Sequence, residues 1–260
     1  MRTTAETTRT MELQPADSAS FRLAVDGLKD FLPEAQLLVT PAGLTICGMD
    51  GSHIGYVKYT LAAADCAVLR VPVQQVLGVP MATLSRVLSS IAHNDAVTLR
   101  SSDTALIVSY TSDKLKKKVN AEIPLLNLEV EALDVPEQDY AATVSLKTAD
   151  LTAVFKEVAP FGDTISLLLD EEGFHVAAKS EMGAMHQLLE NTEDREMILR
   201  KDIEDSVGFG AKYMLSMLRC SLSQFLELDF DPAIPMRLSY KYGTASSLVF
   251  HLAPKLGDRD

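Results

Sequence analysis

Hydrophobic positions along this chain fall into blocks of two periods, and the blocks recur in the same order. From Ser18 to Leu32, the residues Phe21, Ala24, Val25, Leu28, Phe31 and Leu32 return every three to four positions, with Arg22, Asp26 and Lys29 opposite them. That spacing predicts an amphipathic helix, which Pro33 stops. Alternation then takes over. Gln36–Thr40 and Leu44–Cys47 flank Pro41-Ala-Gly43 as a β-hairpin, and further strands are expected at Ile54–Leu61 and Ala67–Val71. A second helix over Met81–Ala92 turns Leu84, Val87, Leu88 and Ile91 inward, and Arg86 and Ser89 outward. Strands at Ala96–Arg100, Ala105–Thr111 and Lys117–Ile123 complete the half.

The second half repeats this order. Leu151–Val158 reads as a helix with Thr148 or Asp150 near its cap. Thr164–Leu169 and Phe174–Ala178 flank a turn at Asp170-Glu-Glu-Gly173, and Glu181–His186 stands where Met49–His53 stood. A fourth helix, Ala211–Leu222, buries Met214, Leu215, Leu218 and Leu222, and strands at Phe225–Phe230, Met236–Tyr242 and Ser247–Leu252 close the chain. Placing Leu28–Pro33 over Phe155–Pro160 brings both hairpins into register. The expected fold class is α+β, two similar domains at 11–125 and 141–256 joined by a loop at 126–140, with a disordered tail at 1–10 and a short one at 257–260.

The joining stretch, Leu126–Tyr140, holds five carboxylates and no basic residue, so it belongs in solvent. Its Leu126, Leu128, Val130, Leu133, Val135 and Tyr140 are too apolar for a plain spacer. Pro136 biases Val135 towards an extended backbone. The expectation is an acidic, extended surface connector held to the body by a few side chains, useful if something docks on it.

A length of 260 residues, 47% of them hydrophobic, fits two globular domains, and no apolar run is long enough to span a bilayer. Cys47, Cys66 and Cys220 are scattered without metal or disulfide spacing, which suggests a reducing compartment. Asp50, Ser52 and His53 lie close in sequence, yet no nucleophile elbow or phosphate-cradling loop accompanies them. No catalytic residue, metal ligand or cofactor is expected. A net charge of −12 argues against nucleic acid if spread evenly. It is not spread evenly. The outward helix faces carry Arg22, Lys29, Arg86, Lys156, Lys212 and Arg219, and Lys212, Ser216, Arg219 and Ser223 form a stripe at helical spacing. Asp26 and Glu157 dilute this pattern, and ordinary solvated faces are the competing reading.

Met49-Asp-Gly-Ser-His-Ile54, Leu133-Asp-Val-Pro-Glu-Gln-Asp-Tyr140 and Leu252-Ala-Pro-Lys255 resemble the proliferating cell nuclear antigen family of DNA sliding clamps, over nearly the whole chain. The resemblance implies antiparallel sheets outside and helices lining the hole of a head-to-tail homotrimeric ring. The six basic residues above would face double-stranded DNA without sequence readout. Edge strands near Val119–Ile123 and Ala184–Leu189 would pair between copies. A front-face pocket for a short client motif, carried by DNA polymerase and other partners, would use Met49, His53, Tyr56, Leu133, Val135, Pro136, Gln138, Pro235, Leu252, Ala253 and Pro254. A separate ATP-dependent loader is implied, no membrane is involved, and the nucleus or a viral replication compartment is the expected location. A subunit of a heterotrimeric checkpoint-type clamp, or a polymerase accessory protein that forms no ring, are the alternatives. Tyr56, His251, Ser89, Pro160 and Glu171 depart from the usual family pattern, which suggests a divergent member.

Overall fold

Each half of the chain distributes its apolar residues over the same succession of elements. The computed structural model describes residues 10–92, 95–112, 116–129 and 135–255. The first half runs β1 (Glu12–Pro15), α1 (Ser18–Leu28), β2 (Glu34–Thr40), β3 (Gly43–Met49), β4 (Gly55–Ala62), β5 (Cys66–Arg70), β6 (Gln75–Pro80), α2 (Met81–Leu88), β7 (Val97–Ser101), β8 (Ala105–Ser112) and β9 (Lys117–Pro124). The second runs β10 (Ala142–Lys147), α3 (Thr148–Val158), β11 (Thr164–Leu169), β12 (Phe174–Ser180), β13 (Gly183–Leu189), β14 (Glu196–Leu199), β15 (Val207–Gly210), α4 (Ala211–Met217), β16 (Phe225–Asp231), β17 (Ile234–Tyr242) and β18 (Ser246–Leu252). The two series match element for element.

The chain forms two compact units. Unit 1 is Met1–Gly51, Val57–Leu133 and Tyr242–Leu248, and unit 2 is Ser52–Tyr56, Asp134–Lys241 and Val249–Asp260. In unit 1 the strands lie in the orders β5-β1-β7-β8-β9 and β4-β3-β2-β6. Unit 2 has β14-β10-β16-β17-β18 and β13-β12-β11-β15, the same two orders strand by strand. Among the described residues β9 has only β8 beside it, and β13 only β12.

Helices of 7 to 11 residues are too short to persist alone, so tertiary packing holds them. α1 packs on α2, with Phe21, Ala24, Val25 and Leu28 buried on one helix and Met81, Leu84 and Leu88 on the other. α3 packs on α4 with Leu151, Phe155, Val158, Met214 and Met217 buried. Each such side chain contributes about 1.5–3 kcal/mol by leaving water.

All four of these helices stop short of, or start away from, the expected limits, for identifiable reasons. α1 ends at Leu28, where the N–H groups of Phe31 and Leu32 both return to the Leu28 carbonyl. α2 ends at Leu88, with the Arg86 carbonyl taken by the Ser89 hydroxyl at 2.8 Å. α3 begins at Thr148, and neither Thr148 nor Asp150 caps it. Lys147 holds the N-cap position without a side-chain bond, and the Thr148 hydroxyl donates instead to the Ser223 carbonyl at 2.7 Å. α4 stops at Met217, because Leu218, Cys220 and Leu222 beyond it are all buried at a spacing no helix provides. Glu181 and Met182 form the turn that follows β12 as 50–54 follow β3, and the chain re-enters a strand, β13, sooner, at Gly183.

Two anchors in unit 1 matter later. The connector begins as an antiparallel bridge in which Leu126 N–H donates to the Gly78 carbonyl at 2.9 Å, and Gln36 Nε2 donates to the Leu128 carbonyl at 2.6 Å. A Cβ at Gly78 would sit 2.2 Å from the Leu126 oxygen, so only glycine permits this approach. The second anchor is Asp65. Its carboxylate accepts the Thr244 and Ala245 N–H groups at 2.6 and 3.0 Å and the Ser246 hydroxyl at 2.6 Å. Burial raises the Asp65 pKa, but the Ser246 hydroxyl and the two N–H groups outweigh it and bring it down to about 2.

Gly78→Ala is expected to detach the connector's first residues while the core stays folded. Limited proteolysis should cut between Leu125 and Glu129 faster than in the parent chain, with little change in thermal unfolding. Asp65→Asn should destabilise unit 1 by about 1–3 kcal/mol, the cost of leaving buried donors poorly paired. The Asp65 pKa is lower in the folded than in the unfolded chain, so its contribution is fully present above about pH 4 and disappears as pH falls towards about 2. Urea titrations at pH 7 and pH 2.5 should show a clear gap between the two chains at the first and a much smaller one at the second.

Candidate functional site

The basic helix faces are unequal once built from their neighbours. On α1, Asp17 caps the helix by accepting the Ala19 and Ser20 N–H groups at 2.9 and 3.0 Å, which sets Arg22 and Asp26 on the face away from the buried side chains. Arg22 is half-buried, and its Nε has no hydrogen-bond partner. Lys29, just past the helix end, is ion-paired with Asp26. The Ser85 hydroxyl of α2 donates to the same Asp26 oxygen at 2.9 Å. Burial works to raise the Asp26 pKa, but Lys29 and Ser85 prevail and lower it, so the Lys29 charge is partly answered where it stands. Arg86, on α2, is exposed.

In unit 2, Lys156 and Lys212 are exposed on α3 and α4. Arg219 is exposed too, but two residues beyond the end of α4. The expected stripe of Lys212, Ser216, Arg219 and Ser223 is therefore not one helical face: Ser221 has a left-handed backbone at φ 38°, and the Tyr240 hydroxyl donates to the Met217 carbonyl at 3.0 Å where the next turn would form. Beside the start of α3, Lys147, Thr148, Ala149 and Ser221–Gln224 line a groove of about 380 Å³, in which the Lys147 ammonium is occupied by Asp194 at 2.6 Å.

Most of the expected docking residues fall in unit 2, and two of their segments are bonded to each other. Ala253 N–H donates to the Ile54 carbonyl at 3.0 Å, fixing the end of β18 to 52–56. Lys255 then anchors the far side: its N–H donates to the Gly208 carbonyl at 2.8 Å and its Nζ to Thr164 Oγ1 at 2.7 Å. Ala253 and Pro254 are held between these ties, partly exposed. Pro254 has no N–H to leave unpaired there.

Residues 135–140 are secured by Tyr140. Its buried ring lies under the Arg237 guanidinium, 5.2 Å from centre to Cζ. Arg237 Nε in turn donates to Asp229 at 2.8 Å, and Asp229 also accepts the Thr143 hydroxyl at 2.6 Å. Val135 is half-buried and Pro136 and Pro235 are exposed. Gln138 Oε1 is buried with no hydrogen-bond partner.

Two expected lining residues sit differently. Tyr56 is 5% and Leu252 0% exposed, so both lie beneath the surface rather than on it. Tyr56 instead packs on His251, with ring centres 6.0 Å apart at 45°. Burial, helped by the Arg237 charge, pushes His251 down to about 4 and keeps it neutral at physiological pH. The exposed apolar side chain in 52–56 is Ile54, at 43%, beside His53, which is exposed with a left-handed φ of 56°. Met49 belongs to unit 1 and is half-buried. Leu133 lies outside the described residues.

Ile54 and the Tyr140–Arg237–Asp229 group were not picked out by sequence reasoning. A signal for the second existed: Asp229 and Arg237 are opposite charges on either side of the Asp231–Ile234 turn, and they are direct cross-strand partners.

Comparison with known proteins gives this geometry a context. The family model described as "Proliferating cell nuclear antigen, N-terminal domain" matches residues 10–136, and that for the C-terminal domain matches 134–255. Among solved structures, the crystal structure of Proliferating Cellular Nuclear Antigen from Entamoeba histolytica is similar with a TM-score of 0.87, over 95% of this chain and 99% of that one. At 20% sequence identity that likeness concerns the fold. With two consecutive domain matches over a repeated α+β fold, the chain belongs to the proliferating cell nuclear antigen family of DNA sliding clamps.

Proposed function

We propose that this chain works as a head-to-tail ring of three identical copies around duplex DNA and recruits partners through the surface formed by 52–56, 135–138 and 252–254. The observation that carries the ring is the pair of uncovered edges. In the repeat, β9 corresponds to β18 and β13 to β4. β18 and β4 have each other: within unit 1 Ala62 N–H donates to the Ser246 hydroxyl, and within unit 2 Ala253 N–H donates to the Ile54 carbonyl. β9 and β13 have no such neighbour among the described residues. A second copy supplies it, by the same pairing, and heterologous contacts of this kind close into a ring.

The helices supply the DNA contact. Arg86, Lys156, Lys212 and Arg219 are exposed, whereas Lys29 is largely committed to Asp26 and Arg22 is half-buried. Contacts of this type reach phosphates and carry no sequence information, which suits a ring that slides. A separate ATP-dependent loader would open it.

For clients, Ile54, Val135 and Pro254 offer apolar contact, and His53 with the half-buried Gln138 amide forms a polar rim. A flexible segment carrying a hydrophobic plug and one amide donor fits this chemistry.

Light scattering on the purified chain should give three times 28.3 kDa. A stable monomer, or trimers that form only with a different clamp subunit, would refute the homotrimer. Arg86→Ala, Lys156→Ala and Lys212→Ala combined should leave that mass and the melting temperature nearly unchanged, since exposed substitutions shift stability by about 0.5 kcal/mol or less each. The same variant should lose polymerase processivity on primed DNA; undiminished processivity would place DNA elsewhere.

The docking surface has its own test. Ile54→Ala should weaken binding of a labelled client-motif peptide by about fivefold or more, consistent with roughly 1 kcal/mol or more of lost apolar burial. Gln138→Leu should weaken it too, while the trimer stays intact. Equal affinity of both variants and the parent chain would mean that clients dock at another surface.

A further inference from the structure

The solvent face of the β12–β13 hairpin carries a constellation that the clamp reading does not use. His175 is paired across these strands with Leu188, and Ala177 with His186, so the two histidines are diagonal neighbours on one face. Phe174, Val176 and Ala178 occupy the opposite, buried face of β12. His175 Nδ1 and His186 Nε2 lie 3.0 Å apart, with ring centres separated by 5.2 Å and planes inclined by 32°. Behind this pair, His175 Nε2 meets Asp170 Oδ1 at 2.9 Å. Asp170 is fixed by the turn, since the same oxygen accepts the N–H groups of Glu172 and Gly173 at 2.8 and 3.2 Å.

The protons follow from this arrangement. A carboxylate only accepts, so His175 carries its proton on Nε2 and turns a lone pair outward at Nδ1. His186 Nε2–H then donates to that lone pair.

The geometry points to a divalent transition-metal site whose two protein ligands are His175 Nδ1 and His186 Nε2, with Asp170 orienting His175 from behind and water filling the remaining positions. A carboxylate on the second ring nitrogen is the usual support for a metal-binding histidine, because it fixes tautomer and ring angle together. In the resting pair the two nitrogens face each other along the line of the ring centres, so to bind one ion at about 2.0–2.1 Å each ring turns by roughly 40° from that line; two imidazoles with the remaining positions open to water suit Cu²⁺, Ni²⁺ or Zn²⁺. Mg²⁺ and Ca²⁺ prefer oxygen donors and gain nothing from two imidazoles. On binding, the His186 proton moves through solvent from Nε2 to Nδ1, so the neutral ring keeps its proton while its Nε2 lone pair takes the metal.

No group of three or more His, Cys, Asp or Glu converges as metal ligands among the described residues, so the affinity of this site rests on the two rings. His186 is exposed, which admits both metal and water. A bound ion would staple edge strand β13 to β12 and stiffen it.

Calorimetric titration of the full chain with Ni²⁺, paired with thermal melts, tests the assignment. The parent chain should bind one Ni²⁺ with a rise in melting temperature that Mg²⁺ does not reproduce. His186→Ala, a change at an exposed position, should weaken Ni²⁺ at least tenfold and abolish the rise. Asp170→Asn keeps both ligands and should weaken it by about tenfold. Unaltered Ni²⁺ binding by His186→Ala, or none by the parent chain, overturns the site, and unaltered binding by Asp170→Asn overturns the orienting role of Asp170.

Discussion

A β-strand at the end of a sheet presents a row of N–H and C=O groups, and everything distinctive about this chain follows from which of those rows are covered. The repeated order creates four corresponding edges, β4 and β13, β9 and β18. Among the described residues, two are satisfied within the chain and two are open. An open row is a hazard unless something meets it, and proteins normally blunt such strands with charge or distortion. β9 has charge, with Lys117, Lys118 and Glu122 along it, but β13 reads Gly-Ala-Met-His-Gln-Leu-Leu without a formal charge. A strand left that plain is consistent with a regular partner in the assembled state.

Buried carboxylates do the local fixing that sheets cannot. Asp65 holds the 244–246 segment by three donors, and Asp229 holds Arg237 and Thr143, so that Arg237 can cover Tyr140. In both places an acid that would be costly to bury alone is surrounded by donors. Tyr140 ends the acidic connector, and its buried ring gives 135–138, with the half-buried Val135 and Gln138, a fixed end. Gly78 does the equivalent at the other end by letting the backbone of Leu126 come within bonding distance.

Periodicity made the elements with long apolar patterns legible. Phe21, Ala24, Val25, Leu28, Phe31 and Leu32 are all buried, and Thr164–Leu169 is a strand with the predicted limits. Strands that break the pattern went unseen. β15 is Val-Gly-Phe-Gly, whose glycines read as a loop, and β6 ends in Pro80 with Gly78 inside it. Helix ends were overestimated for a related reason. Leu218, Cys220 and Leu222 continue the hydrophobic signal past α4, yet they are buried from an irregular turn. At the proposed docking surface, hydrophobic type alone did not distinguish Ile54, which is exposed, from Tyr56 and Leu252, which are covered. Their exposure depends on which strand passes overhead, and that is a tertiary fact.

The charge balance now has a physical reading. Net −12 repels duplex DNA at long range, but at physiological ionic strength that repulsion fades over about 8 Å. In the proposed ring the groups within that distance would be the exposed Arg86, Lys156 and Lys212 on the helices and Arg219 just beyond α4. Few cations mean few released counterions and a weak, salt-sensitive contact. Weak contact would be a defect in a protein that had to hold DNA by affinity. In the proposed ring it is an advantage, since topology prevents escape and each strong phosphate bond would add friction to sliding. The Lys29–Asp26–Ser85 cluster fits the same logic: it lowers the effective charge of α1 at a surface where more attraction would slow the ring without helping to keep it on DNA.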